Sequence, residues 1–306
     1  MTDKICAVSV DLDPLTAYYE IHGLGKPPKQ VEHTILNNAL PRFQALFEQL
    51  EIPATLFIVG QELEGSKEAQ ATLKQMVAAG HELGNHTYTH PYDLNQLPEA
   101  VIEREIQQAH DVIVESVGKE HAPLGFRTPG YHLGPAIARV LSKLNYAYDT
   151  SMFPSPPYYA AKMAVMAAMA LRGRRSGAVM GDPRGLTCPP DPYRLEVERP
   201  WRRGKGPLIE LPVATVPGMR LPAIGTLLAL APPWVRRFIV GAMRTKRFFN
   251  FELHGIDLSD AIDDRIPTEL AGRQPDLRVP YRKKRDRFIA TIEELKSEYR
   301  FVTMRE

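Results

Sequence analysis

The chain has 306 residues, 44% of them apolar and 24% charged, with two cysteines and a formal net charge of +2. This is ordinary globular composition: the length fits one large α/β domain or two small ones, whose core needs no disulfide or metal staple. No stretch offers the roughly 18 to 20 uncharged apolar residues that span a bilayer, and no signal-peptide apolar region precedes the strand-like start, so a cytoplasmic protein is expected.

In chain order, Lys4–Val10 reads as a short buried strand containing Cys6, a small apolar residue suited to a reducing compartment. Arg42–Leu50 puts Phe43, Leu46, Phe47 and Leu50 on one helical face, with Pro53 just beyond its end. Ala54–Val59 is a second strand. Ser66 caps a helix carrying Ala69, Leu73, Met76 and Val77, which Gly80 stops. A third strand runs into Asn85. Pro98 opens a helix with Ile102, Ile106, Ala109, Ile113 and Val117 at spacings of three and four, ended by Gly118. Leu124–Arg127 is a fourth strand, Pro135–Leu144 a helix, and Tyr146–Asp149 a fifth strand. This alternation predicts a parallel sheet with right-handed crossovers, either an open sheet or a barrel. From residue 152 to about 247 the rhythm breaks into a proline-rich insertion or cap, with Leu208–Leu211 its one clear strand. Order returns with a strand at Phe248–Leu253, a helix from about Lys284 to Glu298 and a last strand at Phe301–Met304. The expectation is a single catalytic domain over 1–306.

In parallel α/β folds chemistry gathers at the C-terminal ends of strands. Asp11 and Asp13 follow the first strand, His86 and His90 the third, and Arg127 the fourth. On extended backbone Asp11 and Asp13 share a face. Two histidines and a carboxylate with open positions are a common hydrolytic metal site. Each element is weak alone: surface histidines four apart and acidic turns are common. Their joint appearance at two strand ends is the stronger sign.

The motifs resemble those of polysaccharide deacetylases (NodB homology). Val10-Asp11-Leu12-Asp13-Pro14 is similar to their first motif, Gly84-Asn85-His86-Thr87-Tyr88-Thr89-His90-Pro91 to the second, and Phe126-Arg127-Thr128-Pro129-Gly130 to the third. Tyr148-Asp149-Thr150-Ser151 fits the weaker fourth, and Phe251-Glu252-Leu253-His254 the fifth. The resemblance implies a distorted (β/α) barrel of about seven strands, with the Pro/Arg-rich insertion before the last ones. It implies a metal-dependent hydrolase that removes an acetyl or other N-acyl group from an amino sugar or its glycan or glycolipid. Asp13, His86 and His90 would hold zinc or a similar divalent ion. Asp11 would be the general base, oriented by Arg127, and His254 the general acid. The backbone N–H near Tyr131 would face the oxyanion, with Pro129, His132 and Asp149 in the substrate surroundings. Two features depart from the family pattern: Leu12 separates the aspartates without a following glycine, and Gly130-Tyr131 reverses the usual aromatic-glycine order. Spaced aspartates resemble a subgroup that includes deformylases of lipid-linked amino sugars and cyclic-amide hydrolases.

Blander readings stand beside these. His86 and His90 could be a structural pair, Asp11 an acidic turn residue, Arg127 an ion-pair partner of Asp149, and His254 a structural histidine. A carbohydrate- or lipid-binding protein without catalysis, or a sugar transferase using Asp11 and Asp13, are the rivals from other classes. Charge adds one more clue. Residues 160–247 hold 16 Lys/Arg and 5 Asp/Glu, so this segment carries +11 against −9 elsewhere. Two apolar runs, Met163–Leu171 and Ile224–Ala231, are followed by Arg172, Arg174 and Arg175 and by Arg236 and Arg237. Either this is a packed cap with a basic rim, or a patch that meets anionic membrane or a lipid diphosphate at the inner face of the membrane. Nucleic acid is not expected.

Overall fold

Strand β1 (Ile5–Asp11) is the hub of the fold in a computed structural model that describes residues 4–306. Helix α1 (Leu15–Ile21) follows, then a π-helical turn at Ile35–Ala39 that leads into α2 (Leu40–Leu50). Next come β2 (Thr55–Ile58), α3 (Gly60–Glu64), α4 (Lys67–Ala78), β3 (Glu82–Asn85), α5 (Glu99–Val117), β4 (Gly125–Phe126), α6 (Pro135–Lys143) and β5 (Tyr148–Asp149). The region that follows contains α7 (Pro156–Ala170), the hairpin β6 (Tyr193–Glu196) and β7 (Arg199–Arg203), β8 (Ile209–Glu210), α8 (Gly225–Leu230) and α9 (Pro233–Met243). The chain closes with β9 (Phe248–His254), α10 (Thr268–Ala271), α11 (Tyr281–Lys296) and β10 (Arg300–Val302).

Strands pair in parallel in the order β9-β1-β2-β3-β4-β5-β8. Because β9 occupies one edge of β1 along residues 5–11, β10 and β2 must share the other, at residues 5–7 and 9–11 respectively. The sheet curls into a distorted barrel. Among the described residues no backbone ladder joins β8 to β9. The gap is bridged by Asn250 Nδ2, which donates to the carbonyls of Leu211 (3.0 Å) and Pro212 (3.3 Å).

Local chemistry explains the elements. Phe43, Leu46, Phe47 and Leu50 are all at most 1% exposed, each worth about 1.5–3 kcal/mol of transfer free energy, and they fasten α2 to the sheet. Ser66 Oγ accepts from Ala69 N at 3.1 Å as the cap of α4. Gly118 ends α5 at φ 98°, and Asn145 takes φ 59° just past α6.

The region after residue 152 divides in two. Strand β8 enters the barrel sheet, and Leu228, Ala229, Ile239, Val240 and Met243 of α8 and α9 join the main core. Helix α7 buries no residue. Its two opening prolines sit at the first helical positions, where the missing N–H costs nothing, so a sequence that reads as helix-breaking starts a helix.

Candidate functional site

Alternation on two neighbouring strands builds the site. Val8, Val10 and Leu12 belong to the hydrophobic core, as do Phe249, Phe251 and Leu253. The intervening residues of β1 and β9 therefore turn to the barrel interior. The register sets Ser9 beside Glu252 and Asp11 beside His254. Leu12 N continues the ladder to Phe57 O (3.1 Å), so the backbone is still extended there and Asp13 falls on the same side as Asp11.

Asp13, His86 and His90 offer three ligand atoms within 4.8 Å of one another, all buried. His86 Nδ1 lies 2.7 Å from the carbonyl of Arg127. A carbonyl only accepts, so Nδ1 carries the proton and the Nε2 lone pair is left facing Asp13 Oδ1 at 3.1 Å. His90 Nε2 is 3.3 Å from the same oxygen without forming a hydrogen bond, and His90 Nδ1 also lacks a partner. Lone pairs and a carboxylate converging in a buried place call for a cation, and a tetrahedral divalent ion with an open position suits these donors. The loop is held for this purpose. Thr87 and His90 take left-handed φ of 69° and 62°. Asn85 Oδ1 receives Thr87 N, Thr87 Oγ1 receives His90 N, and Glu105 on α5 accepts Tyr88 N and Thr89 N.

Arg127 is fully buried at the end of β4. Its Nη1 donates to Asp11 Oδ1 at 2.5 Å, Nη2 to Ser9 Oγ at 3.0 Å and Nε to Thr150 O at 3.1 Å. The guanidinium thus fixes Asp11 as a carboxylate in one orientation, while burial raises its pKa and makes it a stronger base. Asp149, proposed from sequence as a partner for Arg127 or a substrate contact, instead bonds Ser151 through its N–H (2.9 Å) and Oγ (2.8 Å). Ser151 Oγ in turn receives Thr128 N at 2.8 Å, so Asp149 shapes the 128–131 loop from behind.

On β9, Glu252 Oε1 lies 2.9 Å from His254 Nδ1 and receives the Tyr131 hydroxyl at 3.0 Å. The same hydroxyl is 3.2 Å from His254 Nε2. Burial works against a charged His254, but the Glu252 carboxylate overrides it and lifts the pKa well above the ordinary histidine range. Reciprocally, burial opposes ionisation of Glu252, and His254 holds it below the usual carboxylate range. The pair is a buried imidazolium–carboxylate with its acidic Nε2 toward the cleft.

Asp11, Asp13, His86, Tyr131 and His254 line one cleft of about 360 Å³. Three sequence assignments are corrected here. Tyr131 N donates to Thr128 O (3.3 Å), so this residue meets the site through its hydroxyl and not through a free oxyanion-facing N–H. Pro129 is buried and does not line the cleft. His132 lines an adjoining pocket, where burial, aided by nearby Lys162, lowers its pKa to about 4. Sequence reasoning passed over Glu252 and Ser9 as site residues, although strict polar alternation in Asn250-Phe251-Glu252-Leu253-His254 marks them.

The family model described as polysaccharide deacetylase matches residues 30–148. A peptidoglycan deacetylase of Helicobacter pylori is 29% identical over 166 residues, 51% of this chain and 52% of that protein. A chitooligosaccharide deacetylase of Sinorhizobium fredii is 30% identical over 156 residues, 49% of this chain and 67% of that protein. The chain therefore spans about half the length of the first of these relatives. A solved structure of a candidate polysaccharide deacetylase from Mycobacterium smegmatis superposes with a TM-score of 0.56 at 18% identity, covering 95% of this chain and 84% of that one, and shares the fold.

Proposed function

This chain belongs to the polysaccharide deacetylase family, and we propose that it is a metal-dependent amide hydrolase that removes an acetyl or similar acyl group from the nitrogen of an amino sugar. The observation that carries this reading is the arrangement of a two-histidine, one-aspartate ligand set between a fixed carboxylate and a charged histidine, on one cleft. Asp13, His86 and His90 would hold the ion, zinc being the best match for these donors. When bound, it supplies a Lewis acid that lowers the pKa of water from 15.7 towards about 7 and polarises the acyl carbonyl.

The chain's own residues do the rest. Asp11 accepts the proton of the attacking water, and Arg127 keeps its carboxylate aimed. His254 donates from Nε2 to the departing sugar nitrogen, a step that requires the imidazolium Glu252 maintains. Tyr131 holds this acid through both of its neighbours. The register that sets Asp11 beside His254 puts base and acid about one strand spacing apart, on either side of a group seated at the ion. The named relatives act on peptidoglycan and chitooligosaccharide, which supports an N-acetylated glucosamine-type sugar as substrate.

The test is turnover by zinc-loaded protein on a panel of N-acetyl and N-formyl amino sugars, free and carried on a lipid. Release of the acid from at least one is expected. Full zinc occupancy with no release from any member would overturn the reading in favour of a binding protein.

A further inference from the structure

Helix α7 is unusual for a surface helix. It spans fifteen residues with Lys162 as its single charge and has no buried position. Met163 is 53% exposed, Val165 55%, and Leu171, just past its end, 89%. An apolar surface of this kind on a folded protein is normally covered by something. The opposite side of the same helix is occupied, since Ala161, Lys162, Val165 and Met166 wall the catalytic cleft. The segment is tied down at both ends: Ser155 Oγ donates to Arg220 O at 2.8 Å, and Ser176 Oγ to Ile21 O at 2.7 Å. It is an anchored strap beside the mouth of the cleft.

Charge says what covers it. Most basic residues elsewhere in this segment have local partners. Arg184 pairs with Asp182, Arg199 with Glu196, Lys246 with Asp191, and both Arg236 and Arg244 with Glu294. Arg236 is thereby part of the protein's own packing. At the end of α7 the pattern changes. Arg172 donates only to Ala168 O on its own helix (3.4 Å), and Arg174 and Arg175 are exposed with no carboxylate partner among the described residues. The second apolar run, Ile224–Ala231, buries Leu228 and Ala229 in the core and leaves nothing comparable to cover. One apolar helix with three free arginines at its end is the chemistry of an interfacial helix.

We propose that α7 and Arg172, Arg174 and Arg175 dock reversibly on an anionic bilayer surface, which brings the mouth of the catalytic cleft to the lipid headgroups. Taken with the deacylase reading, on which this consequence rests, the substrate is an amino sugar presented at the membrane on a lipid anchor. The apolar cleft wall and the Lys162 ammonium would accommodate the anchor and its anionic linkage. No helix of the described residues is long and apolar enough to cross a bilayer, so attachment is one-sided.

The experiment is vesicle flotation of the full chain with phosphatidylcholine alone or mixed with phosphatidylglycerol, at low and high salt. Three comparators are wild type, R172Q/R174Q/R175Q, and Met163→Gln with Leu171→Gln. All five sites are exposed, and unchanged thermal melting checks that the variants fold. Wild type should float with the anionic vesicles at low salt and less at high salt. At about fivefold in partition per arginine, the triple variant should bind about 100-fold more weakly. The apolar variant should bind more weakly at both salts. No flotation of wild type at low salt overturns the proposal, as does flotation that neither variant changes. Concentration-dependent dimerisation without vesicles, abolished by the apolar variant, would assign the face to a second copy and also overturn it. Flotation requires no turnover, so a chain inactive on every sugar could still float, and an active one could fail to.

Discussion

Glu252→Gln tests how the acid is made. The substitution keeps the shape of a side chain that is wholly buried and removes one negative charge 2.9 Å from His254 Nδ1. An opposite charge at this range moves a pKa by about 1–3 units. Coulomb's law at an effective dielectric of about 20 gives about 4 kcal/mol for charges 4 Å apart, the upper end of that span. The charge of a bound ion acts on wild type and variant alike, so the difference survives in the loaded enzyme. Because His254 must be protonated to donate, the alkaline limb of kcat/KM against pH should move down by about 1–3 pH units. Two units above the new limb the loss should be about 100-fold, whereas well below it the variant should approach wild type. A rate lowered by the same factor at every pH would refute the coupling and leave Glu252 a packing residue.

Stability carries the same signature with a defined window. His254 is raised above its ordinary 6.5, so its contribution is complete below that value and is lost as pH rises through the folded pKa. Glu252 is held below 4.5, so its contribution is complete above that value and is lost as pH falls through the folded pKa. The pair therefore stabilises fully between about pH 4.5 and 6.5. The Tm deficit of the variant should be widest in that interval and shrink on both sides.

Three further outcomes are expected. His86→Ala or His90→Ala should lose bound zinc, by elemental analysis, while circular dichroism stays native; stoichiometric metal in either variant would refute the ligand set. Asp11→Asn should keep the metal and lose about 10²- to 10⁴-fold in turnover, and loss of metal instead would make Asp11 a ligand. Gly125→Ala would drive a methyl group into the Tyr148 ring, whose hydroxyl bonds Glu82 at 3.0 Å. A destabilisation of about 1–3 kcal/mol is expected in urea melts, and an unchanged midpoint would mean the strand shifts freely.

Legibility in the sequence followed burial. Helices α2, α4, α5 and α6 press one apolar stripe on the sheet and end in Gly118 or Asn145, so their periodicity and stops are written in the residues. Helix α7 could not be read that way, because alanine and methionine surround it and no stripe exists to find. Its neighbours α8 and α9 begin at or after prolines in a stretch whose composition reads as loop. The metal ligands and both acid–base residues were visible as motif positions. Their supports were less so: Ser151 behind Thr128, and the Tyr131 hydroxyl between Glu252 and His254, depend on contacts that only the folded loops create.

The spaced aspartates follow from the strand itself. Leu12 occupies the one position between Asp11 and Asp13 that faces the core, and it is 1% exposed there. While the backbone stays extended, a carboxylate at that position would enter an apolar cluster and pay the full cost of desolvation. Two site carboxylates on an extended segment must then be two residues apart, as Ser9 and Asp11 are before them, and as Asn250, Glu252 and His254 are on β9. An adjacent pair would require the chain to leave the strand between them. Here the ladder bond from Leu12 N to Phe57 O keeps it in. The departure from the usual first motif is therefore a longer first strand, one that still delivers a base and a ligand to the same cleft.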